Sequence, residues 1–115
     1  VWSSCSPDFG VNSVLDRFQQ IKPKVFITVD GYQYNGKPFD KMETVRELCA
    51  KLPTLEKVII IPYLQPEPNV EGVPYVIHWS NATIDKTAEL VFEAVPFAHP
   101  IWVLYSSGTT GLPKA

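Results

Sequence analysis

The chain has 115 residues, of which 45% are hydrophobic and 19% are charged, so it can build a folded core and is not disordered throughout. Ten basic and twelve acidic residues leave a net charge of -2 without any basic run, so we expect neither nucleic acid nor a membrane as partner. Cys5 and Cys49 form no C-x-x-C pair, so no metal site is predicted, and the cytosol is the expected compartment.

The first predicted element is a helix. Apolar side chains recur at steps of three and four over residues 11–21, which predicts one buried stripe on a helix. Ser6, Pro7 and Asp8 suit the start of this helix, as N-cap, first helical position and first-turn acid. Pro23 ends the helix.

Strands and a second helix alternate after Pro23. The continuous apolar run of residues 25–29 predicts a strand that is covered on both faces of a parallel sheet. A second helical stripe covers residues 39–52 and starts beside Pro38. Residues 58–61 then predict another strand of the same buried type.

The remaining elements are less regular. Residues 101–105 predict a strand, residues 75–79 a weaker one, and residues 84–92 a poorly marked helix. Val1 and Trp2 fit the tail of a further strand. The order of strands and helices is a βαβ pattern, so the predicted fold class is α/β with a parallel sheet and crossover helices.

A loop of small and hydroxylated residues follows the strand predicted at 101–105. Small residues let a backbone approach a ligand and offer its N–H groups to anionic oxygens, and a lysine adds positive charge. We therefore predict a phosphate-binding loop, although the glycine and lysine spacing is not that of a Walker A motif. Its candidate residues are Ser106, Ser107, Gly108, Thr109, Thr110, Gly111 and Lys114.

The ordered string of residues 103–114 resembles the phosphate-binding signature of the AMP-forming adenylating enzymes. This family includes acyl-CoA synthetases, firefly-type luciferases and the adenylation domains of peptide synthetases. Residues 2–10, 15–18, 20–24, 34–37 and 95–100 are similar, more narrowly, to acyl-CoA synthetases that act on acetoacetate. The resemblance implies that the loop binds the phosphates of ATP and steadies the departing pyrophosphate.

The resemblance also implies a reaction and a larger domain. A carboxylate, acetoacetate, would be activated by ATP to an acyl-adenylate, and CoA would then displace AMP to give a thioester. We expect residues 1–115 to be a partial AMP-binding (adenylation) domain, truncated at both ends, within the large N-terminal domain of such an enzyme. The Mg²⁺ ligand and the catalytic lysine would lie outside these residues, and we expect the chain alone to be inactive.

A second candidate site concerns CoA. In related synthetases, the turn after the first strand and a basic residue after the next strand approach the nucleotide part of CoA. By position these are Ser4 and Cys5 in the turn, and Lys37. The relatives carry glycine-rich residues and arginine there, so an equally good interpretation is that residues 3–6 cap a helix and Lys37 is merely solvated.

Three alternatives remain open from the sequence. The chain could be a non-catalytic nucleotide-binding truncation product, or belong to a synthetase for another short-chain acid. A hydrolase using Ser106 or Ser107 is the third alternative, but no G-x-S-x-G elbow accompanies these serines.

Overall fold

The computed structural model describes residues 1–106 and 111–115. Its helices and strands lie in the first 82 residues. In chain order they are α1 (Val11–Ile21), β1 (Val25–Val29), β2 (Gly31–Tyr34), β3 (Lys37–Asp40), α2 (Met42–Lys51), β4 (Lys57–Ile61), β5 (Val76–His78) and α3 (Trp79–Ala82). None of the described helices has the length and hydrophobicity needed to cross a bilayer.

Helix α1 confirms the first predicted stripe. Its buried side chains are Val14, Leu15 and Phe18. The predicted start is wrong, because the helix begins after Gly10 with no side-chain cap, and Ser6 instead accepts a turn hydrogen bond from the N–H of Phe9 (3.1 Å). At the other end Lys22 takes the left-handed conformation, with φ at 49°, and its N–H bonds to the carbonyl of Phe18.

Strands β1, β4 and β5 form a parallel sheet in the order β1-β4-β5. Helix α2 lies between β1 and β4 in the chain, so the predicted βαβ crossover is confirmed. Val58 and Ile60 of β4 are 0% and 1% exposed, and belong to the same core as the buried residues of α1 and α2. The hydrophobic effect therefore fixes the two longer helices on one face of the sheet.

The opposite face of the sheet is open at β1. Val25 and Ile27 are 51% and 38% exposed, although the sequence predicts a strand covered on both faces. Side chains alternate along a strand, so Phe26 points to the helix side and packs edge-to-face on Phe18, with ring centroids 6.1 Å apart. The described residues therefore leave this face of β1 uncovered.

An antiparallel hairpin, absent from the elements predicted above, separates β1 from α2. Strands β2 and β3 pair from Gly31 with Asp40 to Tyr34 with Lys37. Asn35 and Gly36 make the two-residue turn, and both have the positive φ that a type I′ turn requires (49° and 73°).

The hairpin shortens the second predicted helix. Pro38 and Phe39 belong to β3, so α2 begins at Met42 and not at residue 39. The carboxylate of Asp40 accepts a hydrogen bond from the N–H of Met42 (2.8 Å), which satisfies one of the free donors at the helix start.

The prediction of a strand at residues 101–105 is wrong. A single parallel bridge joins Trp2 and Trp102. Trp2 donates to the carbonyl of Ile101 (2.9 Å) and accepts from the N–H of Val103 (2.8 Å). A ladder needs several successive paired residues, and among the described residues only Trp2 lies in pairing position with this run.

The helix predicted at residues 84–92 is also wrong. The carboxylate of Asp85 accepts hydrogen bonds from both the N–H (2.9 Å) and the hydroxyl (2.8 Å) of Thr87. Such a local turn competes with helix formation. The apolar residues that follow find no core, since Val91 and Phe92 are 85% and 81% exposed.

Candidate functional site

The predicted phosphate loop is closed at its base by backbone hydrogen bonds. The N–H of Ser106 donates to the carbonyl of Lys114 (3.0 Å), and the N–H of Lys114 donates back to Ser106 (3.3 Å). Gly111 has a φ of 153° and open space around its Cα, and Lys114 is exposed. Ser107, Gly108, Thr109 and Thr110 lie outside the described residues, so their predicted role stays a prediction.

The side chain of Gln20 on α1 holds the residues on both sides of Lys114. Its amide nitrogen donates to the carbonyl of Pro113 (2.6 Å), and its amide oxygen accepts from the N–H of Ala115 (3.2 Å). Gln20 could not be predicted as a contact of the loop, because a glutamine on the polar side of an amphipathic helix carries no local signal.

A second anchor on α1 lies beside the run that leads into the loop. The hydroxyl of Tyr105 donates to the carbonyl of Arg17 (3.0 Å). The Arg17 guanidinium lies over the ring of Phe9 (4.9 Å) and near the ring of Tyr105 (5.8 Å). Burial raises the pKa of Tyr105, so its phenol is protonated and can donate near neutral pH. Helix α1 therefore positions both ends of the loop.

The predicted CoA turn lies along a cavity of about 920 Å³ between the N-terminal segment, α1 and β1. Ser4 and Cys5 both line it. Burial raises the pKa of Cys5, against the lowering effect of Arg17, so the thiol is not activated. The capping alternative is not supported, since α1 has no side-chain cap and Ser3 donates its hydroxyl to the carbonyl of Val103 (3.0 Å).

The structure does not bring Lys37 to this cavity. Lys37 is exposed at the start of β3, beyond the turn of the hairpin, and is absent from the described residues that line the cavity. Lys41 does line it, and its ammonium lies 5.4 Å from the centroid of the Tyr32 ring. Sequence position alone could not separate these two lysines.

Asp30 is the buried charged residue at the carboxyl end of β1, with 2% of its surface exposed. Its carboxylate accepts hydrogen bonds from three successive backbone N–H groups that follow β4. The distances are 2.7 Å from Tyr63, 2.9 and 3.1 Å from Leu64, and 2.9 Å from Gln65. Burial opposes the charge and would raise the pKa of Asp30, but these hydrogen bonds outweigh burial and hold the pKa below its ordinary value.

The structure gives no metal centre to the part of the chain that it describes. No group of three or more His, Cys, Asp or Glu side chains in residues 1–106 and 111–115 could hold a metal ion.

Comparison with known proteins identifies what the chain is similar to. The acetoacetyl-coenzyme A synthetase of Rhizobium meliloti is 48% identical over 120 residues, which are 99% of this chain and 18% of that protein. The acetoacetyl-CoA synthetase of Danio rerio is 44% identical over 121 residues, with the same shares. No known protein-family model matches the chain.

The chain is also similar to a solved structure of a synthetase of the same name. Acetoacetyl-CoA synthetase from Streptomyces lividans superposes with a TM-score of 0.88 at 57% sequence identity, over 98% of this chain and 17% of that one. The α/β fold class and the resemblance to an acyl-CoA synthetase that acts on acetoacetate are thus confirmed. The chain spans about 18% of the length of the curated relatives it matches.

Proposed function

We propose, because the chain is similar over 99% of its length to acetoacetyl-CoA synthetases, that it is part of an AMP-forming acetoacetate–CoA ligase. Such an enzyme joins acetoacetate to AMP with release of pyrophosphate, and then transfers the acyl group to the thiol of CoA with release of AMP. Residues 1–115 would supply part of its AMP-binding domain. The similarity over almost the whole chain is the observation that carries this proposal.

The phosphate loop would act in the first step. Negative charge builds up on the departing pyrophosphate, and donors already aimed at that charge lower the barrier. The closed base between Ser106 and Lys114 leaves the lysine exposed, and the α1 contact of Gln20 limits its movement. Lys114 would therefore hold ATP phosphate oxygens, together with the hydroxyls and N–H groups predicted at residues 106–111.

ATP and CoA would be substrates of this enzyme, and Mg²⁺ would neutralise phosphate charge when bound. The described part of the loop fits ATP, because Gly111 and Lys114 are open to solvent and a lysine suits phosphate. The Ser4–Cys5 turn would contact the nucleotide part of CoA, whereas Lys37 lies away from the cavity that this turn lines. Ligands for Mg²⁺ would come from residues outside this chain.

The test is an ATP–pyrophosphate exchange assay with acetoacetate on the complete protein. Lys114→Ala should slow exchange about 10²–10³-fold, the usual effect of losing one donor to a developing charge. Lys86→Ala removes another exposed lysine and is the matched control, which should exchange at the parental rate. An unchanged rate in Lys114→Ala would contradict the role of the loop.

The same assay distinguishes the alternatives. A synthetase for another short-chain acid should exchange faster with that acid than with acetoacetate, so a panel of short carboxylates identifies the substrate. A non-catalytic nucleotide-binding protein should bind ATP and exchange with none of them. Absence of exchange with every acid would therefore refute the proposed ligase activity.

A further inference from the structure

Gln20, the penultimate residue of α1, has both polar atoms of its side chain engaged. Its amide nitrogen donates to the carbonyl of Asp16, one turn earlier in the helix (2.5 Å), and to the carbonyl of Pro113 (2.6 Å). Its amide oxygen accepts from the N–H of Ala115 (3.2 Å). A flipped amide would set its oxygen against two carbonyls, so these partners select one orientation. The side chain therefore joins α1 to the carboxyl end of the predicted phosphate loop.

Lys114 lies between the two loop residues that Gln20 contacts. Its own N–H and carbonyl are both bonded to Ser106 (3.3 and 3.0 Å), and the ring of Pro113 fixes φ in the residue before it. Its side chain is exposed, and its ammonium belongs to none of the ion pairs in the part of the chain that the structure describes. The backbone of Lys114 is thus held on every side, while its charge is open to an incoming anion.

We propose that Gln20 is a positioning residue for the adenylate-forming step: by holding residues 113 and 115, it fixes where the Lys114 ammonium meets the phosphates of ATP. This inference rests on the proposed function of the loop. Lysine carries its charge on a flexible stem of four carbons, so the backbone is the part of the residue that the fold can place. A donor that is already in place stabilises developing charge without reorganisation during the reaction.

Helix α1 is a suitable support for the loop because its apolar stripe is packed into the core. The same helix also holds the run that leads into the loop, since the hydroxyl of Tyr105 donates to the carbonyl of Arg17 (3.0 Å). A functional group is held more precisely on a rigid helix than on a loop alone. Without the Gln20 contacts the carboxyl end of the loop would keep only its own base pairing, and a misplacement of about 1 Å can cost as much as about 10²-fold in rate.

The test compares Gln20→Met with the parent in the complete protein. Methionine keeps the length and the helix propensity of glutamine but removes the amide. We expect acetoacetate-dependent ATP–pyrophosphate exchange to slow about tenfold, less than on loss of Lys114 itself, because the ammonium is still present but less well placed. The KM for acetoacetate should stay within about twofold of the parental value. Gln19→Met changes the neighbouring exposed glutamine of α1 and is the matched control, which should exchange at the parental rate.

A double-mutant cycle shows whether Gln20 acts through Lys114. If it does, Gln20→Met should slow exchange by less than about twofold in a protein that already carries Lys114→Ala, because the group to be positioned is gone. A general loss of stability would slow both backgrounds equally. The full tenfold effect in the Lys114→Ala background, or a parental rate in Gln20→Met alone, would therefore overturn the inference.

A second measurement does not depend on catalysis. Hydrogen exchange of the Ala115 amide, which Gln20 accepts, should accelerate in Gln20→Met and stay at the parental rate in Gln19→Met. If Gln20→Met does not fold, Gln20→Asn retains an amide on a shorter side chain that cannot reach the loop, and should give the same two changes. Parental exchange of this amide in the folded variant refutes positioning. A parent without acetoacetate-dependent pyrophosphate exchange refutes the proposed function instead.

Discussion

Substituting Gly31 by alanine should destabilise the chain more than any other glycine-to-alanine change for which the structure describes the surroundings. The added Cβ would meet a side chain at 2.3 Å and a backbone oxygen at 2.4 Å, both far inside contact distance. Leu64 can rotate away, but the carbonyl of Phe39 is part of the β2–β3 ladder and moves only with the hairpin. Overpacking of this kind costs about 1–3 kcal/mol.

The assay is equilibrium urea unfolding followed by far-UV circular dichroism. Gly10→Ala is the matched control, because nothing lies within 4 Å of a Cβ built there and φ is -71°, which alanine adopts freely. We expect Gly31→Ala to lose about 1–3 kcal/mol of unfolding free energy, and Gly10→Ala to stay within about 0.5 kcal/mol of the parent. Equal stability of the two variants would refute the argument from close contact.

Two further predictions follow from the titrating groups. Since the folded pKa of Asp30 lies below its ordinary value of 3.8, the unfolded chain takes up this proton first as the pH falls. The stabilising effect of Asp30 should therefore be complete above pH 3.8 and decline as the pH falls below 3.8. Asp30→Asn should flatten this acid part of a plot of unfolding free energy against pH. If the variant kept the parental slope below pH 3.8, the role of Asp30 would be contradicted. Burial raises the pKa of Cys49 to about 11, so a thiol reagent at pH 8 should modify Cys49 only as the chain unfolds. The rate at which the folded chain is labelled should therefore be the same in Cys49→Ala as in the parent. Rapid modification of Cys49 in the folded chain would contradict its burial.

The parts of the fold predicted correctly are those in which local pattern and tertiary packing agree. Helix α1 and strands β1 and β4 lie where periodicity and β-branched runs place them. The apolar stripe of α2 is predicted correctly, but its start is not. The reason is that proline is compatible both with the first turn of a helix and with an edge position in a hairpin, where Pro38 lies. The Asn35–Gly36 dipeptide was a usable signal for that hairpin.

The predictions of a helix at residues 84–92 and a strand at residues 101–105 are wrong, because each element would form only with other elements packed against it. An apolar run becomes a strand only when other strands pair with it, and Trp102 has just one bridge among the described residues. For the candidate site, the sequence pattern predicts roles for Ser106 and Lys114, but it carries no signal for the contacts of Gln20 or Asp30. Gln20 contacts Pro113, 93 residues away along the chain, and Asp30 contacts Tyr63, 33 residues away. A local sequence motif cannot indicate contacts over such separations.

The α/β class, the parallel βαβ order and the resemblance to an acyl-CoA synthetase can all be read from the amino-acid sequence. This is possible because strands, helices and the 103–114 signature are each encoded by a contiguous run of residues. Two arrangements are visible only in the folded chain: Lys41 and not Lys37 lines the cavity beside Ser4, and α1 holds the base of the phosphate loop. Those arrangements depend on which backbone groups, distant in the sequence, form hydrogen bonds with a given side chain. These partners come together only when the chain folds.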